Sequence, residues 1–323
     1  GQARLRGSHA VVIGCGALGA IHAETLARAG VGRITLVDRD FVEESNLQRQ
    51  IMFEEKDALE RLPKAIAASS RIRRVNSDVE VEPVIADVTF ENAEDLIRGA
   101  GVVLDGTDNF ETRFLINDAA VKLGVPWVYG AVVGSYGLTM TVVPGQTPCL
   151  RCLLEALPDP ATGPTCDTAG VITPIVMTIG AIQSAEALKL LCGSMDRLHG
   201  SLLRIDLWDF SFTRIGLKDA ARLTECNACG LREFEYLQGE TRQTAAALCG
   251  RNAVQITGRR ADLDLNTLAE RLRPLGDVAC NEFLLRFNVD EFEITVFRDA
   301  RSIIRGTDDV VVARNLYARY VGA

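Results

Sequence analysis

The residues in this chain best suited to chemistry are three glycines spaced Gly14-x-Gly16-x-x-Gly19, a group of acids and cations downstream of them, and two Cys-x-x-Cys pairs. Glycine has no Cβ, so a turn built from it can bring backbone N–H groups against a phosphate. A helix starting there adds its positive end. Asp38 closes the apolar run that follows, where a carboxylate can accept the hydroxyls of a ribose. The plain alternative is a tight turn that only packs a helix on a sheet. Strand, loop, helix and acid together favour nucleotide binding, but they do not choose the nucleotide. A Walker loop is excluded, because no Gly-Lys-Ser/Thr follows.

The choice turns on the next residues. "VDRDFVEESNLQRQIMF", residues 37–53, sets Asp40, Ser45, Asn46, Arg49 and Gln50 just past the second strand. Lys64 opens the next helix, and "DGTDNFETR" puts Asp108 and Asn109 at the end of the fourth strand. Ligands of parallel sheets bind at the carboxyl ends of the strands, so Asp38, Arg49, Lys64 and Asp108 are expected to converge over the glycine loop. Two cations beside an acid suit a triphosphate carrying Mg²⁺ and serve NAD poorly. Taken singly each would be a solvated surface charge; four at strand ends weaken that reading.

The cysteine pairs are "CLRC" (Cys149, Cys152) and "CNAC" (Cys226, Cys229), more than seventy residues apart. Four thiolates on two such knuckles make a closed, tetrahedral and therefore structural Zn²⁺ site. A thioredoxin-like redox pair lacks its usual setting. Nine cysteines, an odd number, and no signal peptide argue against a disulfide framework and for a reducing, cytoplasmic compartment. Cys15, Cys192, Cys249 and Cys280 are expected to be packing residues.

These residues need a scaffold, and the sequence supplies one. Apolar runs at residues 9–14, 33–38, 79–86 and 101–108 alternate with helical spacing at 17–30, 64–76 and the segments after 90 and 113. That alternation predicts an α/β fold, a Rossmann-like, doubly wound and mainly parallel sheet. Past Ser135 strand patterns resume as an antiparallel extension. A Pro- and Gly-rich loop covers 157–170, and one long apolar helix follows Pro174. The expected domains are 1–238, with the zinc lobe at about 140–230, and a small C-terminal α+β module over 239–323 reading βαββα. The net charge of −8 excludes a general nucleic-acid role. No apolar run reads as long enough to span a membrane.

"GCGALG", "LVDRDFVEESNLQRQ", "PKA" and "DGTDNFETR" resemble the ThiF/MoeB group, the adenylyltransferases that activate ubiquitin-like sulfur carriers and are related to ubiquitin-activating enzymes. The resemblance covers roughly residues 1–230. It implies that Asp38 holds the ribose of ATP, that Asn46, Arg49 and Lys64 contact the phosphates, and that Asp108 positions Mg²⁺. Ala17 and Asn109 would add contacts. With Gly14, Gly16, Gly19, Asp40, Ser45 and Gln50 these complete the expected nucleotide site. The implied partner is a ubiquitin-like sulfur carrier ending in Gly-Gly, and the implied assembly is a homodimer. The implied reaction joins the carrier's C-terminal carboxylate to the α-phosphate of ATP. The family's zinc lobe agrees with the four cysteines.

The resemblance also marks Cys166 in "GPTCDTAGV" as a thiol that attacks the acyl-adenylate or carries sulfur; an incidental loop thiol is the alternative. One departure stands out. The family carries an arginine-bearing segment before the first strand, whereas Arg4 and Arg6 do not match it and the segment reads as missing or truncated. That departure mildly supports a second reading, a non-catalytic carrier-binding partner with a relic nucleotide site. Intact Asp38, Arg49, Lys64 and Asp108 oppose it. A nicotinamide dehydrogenase fits only the glycine loop.

Overall fold

Four consecutive apolar residues, Ala10, Val11, Val12 and Ile13, are almost wholly buried, which a strand allows only where both faces of its sheet are covered. They form the centre of the first of two units, Gly1–Glu240 and Thr241–Ala323, in a computed structural model of the chain. The structure describes residues 1–154, 156–157, 169–217, 225–239, 245–248, 252–256, 258 and 263–322.

In chain order the first unit carries α1 (Gln2–Arg6), β1 (His9–Ile13), α2 (Ala17–Ala29), β2 (Arg33–Asp38), α3 (Glu55–Leu59), α4 (Lys64–Val75), β3 (Glu80–Ile85) and α5 (Ala93–Ile97). There follow β4 (Val102–Asp105), α6 (Phe110–Leu123), β5 (Trp127–Val133), β6 (Tyr136–Val142), α7 (Leu150–Leu153), α8 (Thr173–Leu191), β7 (Ser201–Asp206) and β8 (Ser211–Gly216). The sheet order is β3-β2-β1-β4-β5-β6-β7-β8. The strands from β3 to β5 run parallel, and β6, β7 and β8 extend the sheet antiparallel, as the patterning predicts. The chain goes to one side of β1 for β2 and β3 and returns to the other for β4. A crevice therefore opens at the carboxyl ends of β1 and β4, the switch point where ligands bind in such sheets.

Alternate side chains of the central strands enter two cores. Ala10, Val12, Ile34, Leu36 and Leu104 share one with α2, α4 and α8. Val11, Ile13, Val37, Val103 and Trp127 share the other with α5 and α6. The helix ends follow local chemistry. Gly30 and Gly124 stop α2 and α6 in the left-handed conformation, and the Asn109 side chain caps α6 by accepting from Thr112 N at 2.8 Å.

One sequence expectation needs correcting. α8 has 19 residues and is long and apolar enough to cross a membrane by those measures. It is apolar because it is a core helix, and half of the stretch is buried inside its own unit. It lies so close to its neighbours that a Cβ on Gly130 would overlap Gln183, one on Gly137 would overlap Ile179, and one on Gly180 would meet Ile21 at 2.8 Å.

The second unit contains β9 (Ala245–Leu248), β10 (Ala253–Ile256), α9 (Leu265–Leu272), β11 (Asp277–Cys280), β12 (Leu284–Val289), β13 (Phe292–Phe297), β14 (Ser302–Arg305) and α10 (Val310–Tyr320). Its antiparallel sheet runs β11-β12-β13-β14-β10-β9, and Leu268, Leu272, Ala313 and Tyr320 pack with Leu285, Phe287, Ile294 and Ile304 in one core. The sequence predicts two strands after α9, and the structure makes four. β11 and β14 are only four residues long. The turns at Asp290 and Ala300 take positive φ, 50° and 64°, without a glycine to announce them.

Candidate functional site

Gly14 ends β1 at φ 88°, with its N–H on Val37 O at 2.8 Å. A Cβ there would stand 2.6 Å from Gly106 O, and one on Gly19 would run into Gly14 O. Both glycines are therefore demanded by the close approach of this loop to the end of β4 and to α2. Gly16 is different. A Cβ there would find nothing nearer than 3.8 Å, the Gln50 amide and Gly106 O. The chain's own packing leaves that space open, at the first turn of α2, which Ala17 begins. Open space beside backbone N–H groups at a helix start suits a phosphate.

Asp38 sits at the adjoining end of β2, buried, with Oδ2 accepting from Cys15 N at 2.6 Å and Oδ1 from Asp40 N at 2.7 Å. Burial raises its carboxyl above the ordinary value, the Lys64 ammonium opposes that rise, and Asp40 adds to it. Lys64 starts α4, and only 6% of its side chain is exposed; its Nζ lies 3.4 Å from Asp40 Oδ2. The Lys64 backbone N–H also donates to Asp40 O at 2.9 Å. Asp40 thus links Lys64 to the end of β2 that carries Asp38. Of the four residues expected to converge, Arg49 and Asp108 lie on two other loops.

Ser45 and Asn46 lie in a 3-10 turn, Glu44–Asn46, in which the Asn46 side chain accepts from Glu43 N at 3.3 Å. Arg49 follows and folds back to donate to Ser45 O at 3.0 Å. Gln50 is buried beside Gly16. Thr173, at the start of α8, donates to Gln48 O at 2.7 Å and so ties this turn to the core helix.

Asp108 is exposed at the start of the loop into α6, and Asn109 Nδ2 lies 3.4 Å from its Oδ1. Sequence reasoning passed over Arg39. Its guanidinium lies 3.2 Å from Asp87 Oδ1 and 3.9 Å from Asp40. Burial works against its charge, but the fields of Asp87, Asp40, Asp108 and Asp38 outweigh it and hold it above its ordinary value. Arg39 therefore bridges the acidic residues just past β2 and β3, Asp40 and Asp87. Adjacency to Asp38 in the sequence was the one signal that could have found it. Also missed were Asp105 and Arg113, a buried pair with Arg113 Nε 3.0 Å from Asp105 Oδ2.

The four cysteines come together. Cys149 precedes α7, Cys152 lies in it, and Cys226 and Cys229 sit in a turn before Gly230. The sulfur separations are 3.9 Å for Cys149–Cys152, 3.7 Å for Cys149–Cys226 and 3.4 Å for Cys152–Cys229. A tetrahedron with Zn–S bonds of about 2.3 Å has edges of about 3.8 Å, so the donor set and its spacing fit a closed thiolate centre. The knuckle is anchored on α6. Leu150 N donates to Asn117 Oδ1 at 2.9 Å, and the Arg151 guanidinium lies over the rings of Phe114 and Tyr236. Cys15 is buried, whereas Cys192 and Cys280 are only half-buried, less packed than expected. Cys166 and Cys249 lie outside the described residues.

Residues 1–228 match the ThiF family. The chain is 48% identical to the sulfur carrier protein ThiS adenylyltransferase of Bacillus subtilis, covering all of this chain and 95% of that protein. It is 42% identical to the SAMP-activating enzyme E1 of Haloferax volcanii over 74% of this chain and 88% of that one. Among solved structures, Escherichia coli MccB with ATP superposes with a TM-score of 0.62 at 21% identity, covering 71% of this chain and 69% of MccB, a likeness of fold.

Proposed function

The chain belongs to the ThiF family, and from that premise we propose that it is an adenylyltransferase that activates the C-terminal carboxylate of a ubiquitin-like sulfur-carrier protein with ATP. The observation that carries the reading is the open space at Gly16, bounded by Gln50 and Gly106, with the buried Asp38 bonded to the neighbouring Cys15 N. In this reading the loop from Gly14 to Gly19 receives the phosphates and Asp38 the ribose. Arg49 and Lys64 supply positive charge, with Asn46, Ser45, Gln50 and Asn109 around them. The name of the Bacillus subtilis relative, a sulfur carrier protein adenylyltransferase, supports the substrate class.

The chemistry asks little of a base. A C-terminal carboxylate has an ordinary pKa of about 3.5 and is already ionised at neutral pH. It is a weak nucleophile meeting another anion, so rate enhancement has to come from alignment and from charge neutralisation at the α-phosphate. In this reading Asp108 would hold Mg²⁺, which would supply further neutralisation of the phosphates. The four cysteines hold Zn²⁺ as a structural centre, and thiolates of that kind need a reducing compartment such as the cytoplasm. A later sulfur-transfer step is assigned to Cys166. The protein acts as a homodimer, with residues 1–238 as the catalytic domain and 239–323 as a carrier-binding or dimer-stabilising module.

The test is ATP–pyrophosphate exchange with carriers ending in Gly-Gly. Exchange that appears with one carrier and falls about a hundredfold or more in Lys64→Ala supports the proposal. ATP binding without exchange for every carrier tried points instead to a non-catalytic carrier-binding partner. Cys166→Ser is expected to leave exchange intact and to abolish sulfur loading.

A further inference from the structure

The exposed Asp108 follows a turn in which nearly every polar group is tied down from inside the protein. Asp105, at the end of β4, has a fully buried side chain, and its Oδ1 accepts from both Thr107 N at 2.9 Å and Thr107 Oγ1 at 2.7 Å. Its Oδ2 accepts from Arg113 Nε at 3.0 Å and Gly130 N at 3.4 Å. Arg113, one turn into α6, also donates from one terminal nitrogen to Thr107 O at 2.7 Å and Gly130 O at 3.0 Å. Its guanidinium lies 5.2 Å from the ring centre of Phe110 and 5.4 Å from that of Tyr129.

A third group closes the arrangement from the other face of the sheet. Gln183 of α8 is fully buried, and its Nε2 donates to Asp105 O and Val128 O, each at 3.1 Å. Its Oε1 is then an acceptor, so His22 Nε2, 3.1 Å away, is the donor. Burial pulls His22 down to about 4, which keeps the ring neutral, and the bond to Gln183 sets its proton on Nε2. His22 belongs to α2, the helix that begins at the glycine loop.

We infer that Arg113 is a positioning residue, which through Asp105 and Thr107 O fixes the turn preceding Asp108 so that this carboxylate is presented ready-placed for a nucleotide-bound divalent cation. The inference rests on the reading above that the cleft binds Mg·ATP. The residues on either side of Asp108 are pinned, Thr107 by Asp105 and Arg113, and Asn109 by its capping bond to Thr112 N. Asp108, between them, is exposed at the surface. Arg113 is buried and bonds to Asp105, Thr107 O and Gly130 O, so it acts through them. Buried supports of that kind change metal affinity or activity by about ten- to a hundredfold when they are altered.

The experiment compares Mg·ATP and AMP binding, by calorimetry on the full chain, in wild type, Arg113→Lys and the paired change Asp105→Asn with Arg113→Met. The lysine keeps the charge but cannot reach Asp105, Thr107 O and Gly130 O together. The paired change leaves no lone buried charge, and so guards against simple misfolding. The expected result is that the dissociation constant for Mg·ATP and the half-saturating Mg²⁺ concentration rise about tenfold or more, while AMP binding, which relies on Asp38, stays within about twofold of wild type. Unchanged Mg·ATP binding with a lowered Tm would make Arg113 a prop of the fold and overturn the inference. Equal weakening of Mg·ATP and AMP would overturn it too. A wild-type protein that fails to bind Mg·ATP removes the functional reading itself, a distinct failure.

Discussion

Around the glycine loop, the contacts that set the geometry are made by the chain itself: Gly14 N on Val37 O, Asp38 on Cys15 N, Asp105 on Thr107 and Arg113. At the four cysteines the arrangement is of another kind. There Cys149 and Cys152, at and in α7, face Cys226 and Cys229 of a turn across sulfur separations of 3.7 and 3.4 Å. Backbone bonds and buried charge shape a cleft before any ligand arrives. Four sulfurs can hold two distant segments together only through an ion that binds all of them, because neutral thiols are weak hydrogen-bonding groups. The cleft should therefore outlast the lobe.

The largest effect should come from the lobe. Structural zinc centres contribute on the order of 10 kcal/mol in small domains, so Cys226→Ser, or a strong chelator, is expected to release the metal and melt the lobe early in a calorimetric scan. Metal content and the scan are the measurements. The contrast is sharpened if ATP affinity survives chelation, and broken if cleft and lobe fail together.

Within the cleft, two alanines separate packing from binding. Gly19→Ala should cost about 1–3 kcal/mol in denaturant unfolding, because its Cβ meets the Gly14 carbonyl. Gly16→Ala has room for its methyl and should unfold like wild type, yet its ATP affinity should fall about tenfold or more, near 1.4 kcal/mol. An equal stability loss in both variants would mean that Gly16 serves the fold and not a ligand.

A pH-dependent effect concerns Asp118, which accepts from Tyr236 N at 3.3 Å beneath the lobe. Burial raises its carboxyl to about 6 from an ordinary 3.8, with Arg151 opposing. A raised acid binds its proton more tightly when folded, so its contribution to stability is present at low pH and is lost as pH rises from about 4 through about 6. Asp118→Asn lacks that slope. The stability of wild type relative to this variant should therefore shrink as pH goes from 4 to 7, by up to about 3 kcal/mol. Parallel curves would show that Asp118 is not buried as a charge.

What the sequence carried plainly was whatever a short spacing encodes. Gly14, Gly16 and Gly19 sit within one turn, each Cys-x-x-Cys is a local knuckle, and strands buried on both faces read as unbroken apolar runs. Arg113 was invisible for the opposite reason. In "DGTDNFETR" an arginine on a helix looks like any solvated cation, and only the fold brings it against Asp105 and Gly130. Gln183 reaches Asp105 across 78 residues, a pairing no local pattern records. The extra strands of the second unit escaped because four-residue strands hold too few alternations to show a period, and because Asp290 and Ala300 turn the chain where glycine was the residue to look for.

α8 does one more thing than fill the core. Thr173 grips the turn carrying Arg49, Gln183 grips the end of β4 that leads into the loop carrying Asp108, and ten residue steps, about 15 Å of helical rise, separate the two grips. The helix is thus a ruler: it fixes the spacing between a cationic and an acidic loop by covalent length, where loop packing alone would let it drift. Deleting one residue between Thr173 and Gln183 would swing one grip about 100° around the axis, so the interval is under a constraint of number as well as of composition.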